Sequence, residues 1–362
     1  YGNFSVFHSR FFASASLRQK ELRSSRVAKD SVKKAIQDCF LNKINSEKSN
    51  KQKLNQNMKK ITMNPNFLKN KTGIFVAAAF LSFSNISAQT FTDFQHKGND
   101  KIYTDNPLKS DEFYSPILQG CYPDPSITKK GEDYYLVNSS FSMFPGVPIF
   151  TSKDLVNWKQ VGHVLDRPSQ LKVEKGGVSQ GIYAPDIKYN KYNDTFYMIT
   201  TQIAGGVGNM VVKTKDPAKG WSEVQKLNFD GIDPAIFFDD DGKAYIVHND
   251  APPKGTEQYQ GHRVIKMWDY DLEKDQVVAG SDRIIVNGGV DLSQKPIWIE
   301  GPHIYKYKGK YYLMCAEGGT GGNHSEVIFM ADSMKGPFVP AKNNPILTQR
   351  YFPKDRKEKV AV

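Results

Sequence analysis

Cysteine is scarce in this chain: three occur in 362 residues, at Cys39, Cys121 and Cys315, with no metal-ligand spacing between them. That excludes a disulfide-dense scaffold and a thiolate zinc site. Cys121 and Cys315 read either as a pair or as two core thiols. Histidine is also sparse, and His303 and His324 lack the spacing of a ligand pair, so no metal is expected. The loop Gly318-Gly319-Thr320-Gly321-Gly322 is followed by no Lys-Ser/Thr and lies in no βαβ context, which argues against a phosphate cradle. No organic cofactor is implied. The apolar run 73–83 is too short to cross a bilayer as a helix, so no membrane span is expected.

Positive charge is abundant overall but absent as an excess from most of the chain. The formal net charge is +11, yet residues 1–90 hold 16 of the 49 Lys and Arg and only 4 of the 38 Asp and Glu. Residues 91–362 therefore carry 33 basic and 34 acidic side chains. A near-neutral folded part gives no electrostatic reason for a nucleic-acid partner.

No methionine precedes Met58, and residues 1–57 read as an upstream extension expected to be disordered. From Met58 a basic stretch with Lys59, Lys60, Lys69 and Lys71 leads into the apolar run and then Ser87-Ala88-Gln89. A positive segment, an apolar core and a small residue at the cut describe a signal peptide over 58–88, cleaved after Ala88, and a secreted or periplasmic product. The alternative is a buried helix of a small N-terminal domain. Residues 89–118 are a polar lead-in, 119–350 the folded domain, and 351–362 a charged tail.

What the chain has is a repeat. Tyr122-Pro123-Asp124-Pro125-Ser126-Ile127, Tyr183-Ala184-Pro185-Asp186-Ile187, Gly231-Ile232-Asp233-Pro234-Ala235-Ile236 and Ile299-Glu300-Gly301-Pro302-His303-Ile304 are four copies of one motif. From the acid of each copy a tyrosine follows 11, 11, 12 and 12 positions later, at Tyr135, Tyr197, Tyr245 and Tyr312. Repeats of roughly 45 to 65 residues built from short period-2 runs and turns are the sequence form of a β-propeller. The fold class is therefore all-β, with about four blades in this chain. Either four blades close the ring or a fifth is cut away. The four acids are expected at one structural position, converging on a central channel.

Three of those acids carry a chemistry. Inverting hydrolysis of a glycoside needs a protonated carboxyl at the leaving oxygen and a carboxylate that activates water on the opposite face, roughly 6.5–9.5 Å away. Apolar Ile297, Trp298 and Ile299 precede Glu300 and suit a protonated acid. Asp124, between Pro123 and Pro125, suits a rigid base, and Asp233 would raise the acid's proton affinity. A lone Asp beside Pro more often caps a turn; three in register reverse those odds. Asp186 is less favoured, because it sits one step later relative to its proline. Phe141, Phe144, Tyr183 and Trp298 are candidate sugar-stacking faces, although most propeller aromatics are core.

These residues, together with Cys121-Tyr122-Pro123-Asp124-Pro125-Ser126, Phe144-Pro145-Gly146, Tyr183-Ala184-Pro185-Asp186 and Ala316-Glu317-Gly318-Gly319-Thr320, resemble glycoside hydrolase family 43, in particular its β-xylosidase and α-L-arabinofuranosidase members. The resemblance covers about residues 106–350 and implies a five-bladed propeller that hydrolyses xylose- or arabinose-containing oligo- or polysaccharides with inversion. It implies Asp124 as general base, Asp233 as pKa modulator, Glu300 as general acid, and Phe141 and Tyr183 beside the terminal sugar. Similar enzymes continue into a fifth blade with a Gly-His motif and often a β-sandwich domain, so this chain is expected to be truncated, with activity and folding at risk. The rival expectations are a retaining fructosidase-like propeller and a non-catalytic binding propeller, the latter favoured if the acids are ion-paired. No oligomeric state is read from the sequence.

Overall fold

Strands form here because short runs rich in Val, Ile, Tyr and Phe alternate with Gly, Asp and Asn turns. A computed structural model of the chain describes residues 104–172, 177–203 and 205–353. The expectations for 1–88 and for 354–362 fall outside the described residues.

Four antiparallel sheets follow one another along the chain. The first contains β1 (Ser126–Lys130), β2 (Asp133–Val137), β3 (Gly146–Ser152) and β4 (Lys159–Leu165) in that order. The second contains β5 (Ile182–Asn190), β6 (Thr195–Gln202), β7 (Gly208–Thr214) and β8 (Gln225–Lys226). The third runs β9 (Ile232–Phe238), β10 (Ala244–Asp250), β11 (Val264–Asp271) and β12 (Gln276–Val277), with β13 (Arg283–Asn287) also paired to β11. The fourth runs β14 (Glu300–Tyr307), β15 (Lys310–Glu317), β16 (Ser325–Ala331) and β17 (Val339–Pro340), with β18 (Leu347–Thr348) paired to β16. The first strands pack in sequence, β1 on β5, β5 on β9 and β9 on β14. These are four blades of a β-propeller, as the repeat predicts.

Apolar clusters fill the spaces between blades. Val137, Ile149, Ile187, Phe196 and Met198 join the first two; Tyr197, Ile199, Ile236 and Ile246 the second and third; Val247, Met267, Ile304 and Leu313 the third and fourth. Each such fully buried aliphatic side chain contributes about 1.5–3 kcal/mol. Three of the repeating tyrosines belong to this layer, Tyr197 and Tyr245 being buried and Tyr135 packing edge-on against Phe196 with centroids 4.8 Å apart, whereas in the fourth blade Tyr311 is buried and Tyr312 only half-buried. Cys315 is buried, Cys121 is exposed, and both are free thiols. No helix among the described residues is long and apolar enough to cross a membrane.

The motif itself is a β-bulge. Register shifts occur between Tyr183 and Asp186 on β5, opposite Val247 and Asn249 on β9, and between Glu300 and His303 on β14. In each case two residues, the second a proline, lie outside the ladder: Ala184-Pro185, Asp233-Pro234 and Gly301-Pro302. Proline has no N–H to give, so a bulge is where a strand tolerates it. The residue before each proline has positive φ: 32° at Ala184, 55° at Asp233 and 55° at Gly301, and 52° at Asp124 in the first blade.

That register corrects the expectation of four acids at one position. Asp124, Ala184, Asp233 and Gly301 are the equivalent residues. Glu300 precedes that position by one, and Asp186 follows it by two. The second residue past the equivalent position is Ser126, Asp186, Ala235 or His303; Ser126 and His303 meet at Asp186 together with Ile236, the residue after Ala235. Its carboxylate accepts from Ser126 Oγ at 2.6 Å and from the Ile236 N–H at 2.9 Å, and pairs with Lys188 Nζ at 3.0 Å and His303 Nδ1 at 3.3 Å. Burial opposes its charge, but Lys188, His303 and Ser126 hold the carboxyl well below the usual range. Asp186 thus ties all four blades together and is not at the site.

Candidate active site

The acids lie where their strands begin. Asp124 stands two residues before β1, Asp233 is the second residue of β9, and Glu300 opens β14. Because the first strands pack side by side from the same end, β1, β5, β9 and β14 bring Asp124, Tyr183, Asp233 and Glu300 to one mouth of the propeller. The charges of Asp124 and Asp233 act on both Glu300 and Tyr183. The structure therefore gathers three carboxylates that lie 109 and 67 residues apart in sequence.

Each is held by its neighbours. Ser139 Oγ donates to Asp124 Oδ2 and accepts the Ala184 N–H at 2.7 Å, so one hydroxyl links the first acid to the second blade. Asp233 is buried and accepts the Gly301 N–H at 3.1 Å. The turn before it demands glycine: a Cβ on Gly231, where φ is +95°, would stand 2.2 Å from Asn249 O and 2.7 Å from His248 Nδ1.

Burial and like charge raise two of the acids together. Burial first, then the negative charges of Asp233 and Asp124, push the Glu300 carboxyl up to about 7. Burial likewise raises Asp233 to about 7, with the Gly301 N–H and Arg263 opposing and Asp124 adding to the rise. Two adjacent carboxyls in one desolvated pocket resist joint ionisation and titrate as a pair. Among the described residues none of the three acids is in an ion pair. Such an arrangement can give a proton from one carboxyl and take one with another.

The aromatic candidates sort themselves. Phe141 bridges Ile182 across the mouth, and its ring meets Tyr183 edge-on at 5.8 Å and 87°. Tyr183 donates its hydroxyl to Ser179 O at 2.8 Å, which fixes the ring beside the acids. Phe144 is exposed on the adjoining loop, and Trp298 lies under Arg263. Two surface hollows, around Asp133 and Lys153 and around Lys243 and Leu272, lie toward the opposite strand ends and contain none of the acids.

The sequence model of glycosyl hydrolases family 43 matches residues 113–361. The chain belongs to glycosyl hydrolase family 43. It is 46% identical over 244 residues to a xylosidase/arabinosidase of Butyrivibrio fibrisolvens, covering 67% of this chain and 46% of that protein. It is 38% identical to a non-reducing end α-L-arabinofuranosidase of Bacteroides ovatus, over 68% of this chain and 44% of the relative. Among solved structures, a GH43_12 retrieved from capybara gut metagenome is 67% identical with a TM-score of 0.68, covering 73% of this chain and 50% of that one. A xylan β-1,4-xylosidase from Bacillus halodurans C-125 is 36% identical with a TM-score of 0.59, covering 67% and 46%. This family 43 chain spans about half the length of the curated relatives it matches.

One residue of this family 43 site escapes sequence reasoning. Arg263 stacks its guanidinium on Trp298, 4.0 Å from the ring centroid, and its charge lowers the proton affinity of both Asp233 and Glu300. It stands one residue before β11, in no repeat motif, and its neighbour Trp298 is 35 residues away. A positive φ at Trp298, 50°, and the Trp298 N–H donated to Gly261 O at 3.1 Å bring the two together.

Proposed function

We propose that the protein is an inverting glycosidase that removes xylosyl or arabinofuranosyl units from xylan- or arabinan-type oligo- or polysaccharides. The observation that carries the reading is Glu300: its carboxyl is raised to about 7 in a mouth shared with Asp233 and Asp124. A carboxyl that keeps its proton near neutral pH is suited to general acid catalysis. The names of the curated relatives, xylosidase/arabinosidase and α-L-arabinofuranosidase, support the substrate class.

Glu300 gives its proton to the glycosidic oxygen as the bond from that oxygen to the anomeric carbon breaks. Asp124 takes a proton from the water whose oxygen forms the new bond on the opposite face. The sugar leaves with inverted configuration, Glu300 ends as carboxylate and Asp124 as acid, and solvent restores both. Asp233 holds Gly301 and, by its negative charge, keeps the neighbouring Glu300 protonated. Phe141 and Tyr183 border the terminal sugar.

The test is hydrolysis of paired xyloside and arabinofuranoside substrates with the first-formed anomer followed by NMR. Inverted product supports the reading; retained configuration replaces it with a double-displacement enzyme, and no turnover of either substrate removes it. We also propose that residues 58–88 direct export. Protein recovered outside the cytoplasm should begin at Gln89, and one beginning upstream of Gly73 would contradict cleavage there.

A further inference from the structure

Three asparagines lie beneath the mouth without lining it. Asn138, Asn209 and Asn249 are 1%, 2% and 0% exposed. Each donates its side-chain amide to backbone carbonyls just ahead of one acid. Asn138 Nδ2 reaches Tyr122 O at 2.9 Å and Pro123 O at 3.2 Å, the two residues before Asp124. Asn209 Nδ2 reaches Phe229 O at 3.0 Å and Gly231 O at 3.2 Å, on the turn into Asp233. Asn249 Nδ2 reaches Ile299 O at 2.5 Å, the residue before Glu300.

The pattern does not come from the repeat. Asn138 lies one residue and Asn249 two residues past the equivalent valines Val137 and Val247 on the second strands of their blades, and Asn209 lies on β7, a third strand, so different positions arrive at the same target. Asn209 and Asn249 moreover reach forward into the next blade, and so fix the spacing between blades as well as the turn.

We propose that Asn138, Asn209 and Asn249 are positioning residues, each clamping the backbone that carries one of the three carboxylates. The proposal rests on the glycosidase reading of those carboxylates. Where a bulge interrupts the ladder, carbonyls lose their strand partners, and a buried carbonyl needs a donor. An amide supplies two N–H groups with no charge, whereas Lys or Arg there would pull Glu300 and Asp233 toward ionisation. Asn138 Oδ1 and Asn249 Oδ1 are buried with no hydrogen-bond partner among the described residues, so it is the donor end of these side chains that the fold uses. At Glu300 the result is a bracket: Asn249 holds the carbonyl before it and Asp233 the N–H after it.

The experiment compares Asn249→Leu, which keeps the volume and removes the amide, with Asn190→Leu. Asn190 is 2% exposed and accepts the Tyr192 N–H at 3.0 Å at the far turn of the second blade, so its loss measures the generic effect of deleting a buried amide. Two readouts are taken: kcat and KM on an aryl xyloside, and the midpoint of the Glu300 carboxyl in a 13C titration. For N249L we expect kcat to fall by about 10- to 100-fold, the scale of a small misplacement of a reacting group, with KM changed less than about twofold. The Glu300 midpoint should drop from about 7 toward the ordinary carboxyl range. N190L should lower the thermal midpoint and leave both readouts in place. If N249L does not fold, Asn249→Ser, which deletes the amide with a smaller change, is measured in its stead. Absence of all turnover in the wild-type chain would remove the glycosidase reading, and the titration would still decide the clamp. Equal kcat for N249L and N190L, or a Glu300 midpoint unmoved in N249L or N249S, overturns the proposal.

Discussion

Asp233 accepts the backbone N–H of Gly301 at 3.1 Å, one residue past Glu300. A carboxylate that holds the strand carrying another carboxyl sets both its position and its field. The bond lowers the proton affinity of Asp233, while the negative charge that remains raises that of Glu300. Replacing Asp233 by Asn keeps an acceptor for Gly301 and removes the charge. The alkaline limb of the kcat–pH profile should then move to lower pH, because Glu300 loses a like charge and ionises sooner. A limb that stays in place or rises would deny the coupling.

Arg263 acts in the opposite direction. Its guanidinium favours the ionised forms of Asp233 and Glu300, so Arg263→Met should raise the alkaline limb. Stability should fall modestly as well, since the stack on Trp298 is worth on the order of 0.5–2 kcal/mol. The pH–rate profile and a denaturant melt check the two parts separately.

Removing the acid itself should divide substrates by leaving group. Glu300→Gln is expected to reduce hydrolysis of a poor leaving group by roughly 10²–10⁴-fold while partly sparing an activated aryl glycoside, which needs less protonation. Asp124→Asn should lose both, because water activation is common to them. Equal loss on both substrates in E300Q would count against the acid role.

The same group affects stability with a definite sign. Glu300 binds its proton more tightly folded, at about 7, than its ordinary value of 4.5, so between those limits the unfolded chain gives up its proton first. Stability from this group is present at low pH and is lost as pH rises through 7. Buried His248, lowered to about 4 by desolvation, works in the other direction at acid pH, so the difference between variants is the cleaner quantity. E300Q should gain stability relative to wild type as pH rises from 5 to 8. A difference flat with pH would contradict the raised value.

The Asp186 hub is structural and should respond as one. Asp186→Asn leaves Lys188 and His303 facing a neutral amide in a buried site, at a cost of about 3–5 kcal/mol. The alkaline limb set by Glu300 should be unchanged in whatever fraction folds.

The inner strands and three of the acids were legible because one local rule generates them. A residue of positive φ before a proline recurs in every blade, with a bulge there in the last three, and the tyrosine that follows marks the next strand. Where that rule thins out, reading fails. The strands β11 to β13 lie outside the motif, and β12 and β17 have two residues each, too few to alternate. Asp186 reads as the acid of a fourth motif copy, although less favoured because it follows its proline, and the bulge places it two residues past the equivalent position Ala184. Arg263, Asn209 and Asn249 were invisible for another reason: their partners are brought to them by packing between blades, and those of Asn138 by the pairing of β1 with β2.

The most direct measurement is the 13C titration of the Glu300 side-chain carboxyl in the wild-type chain. The account predicts a midpoint near 7, falling in Asp233→Asn. A midpoint near the ordinary 4.5, unaffected by Asp233, would contradict it.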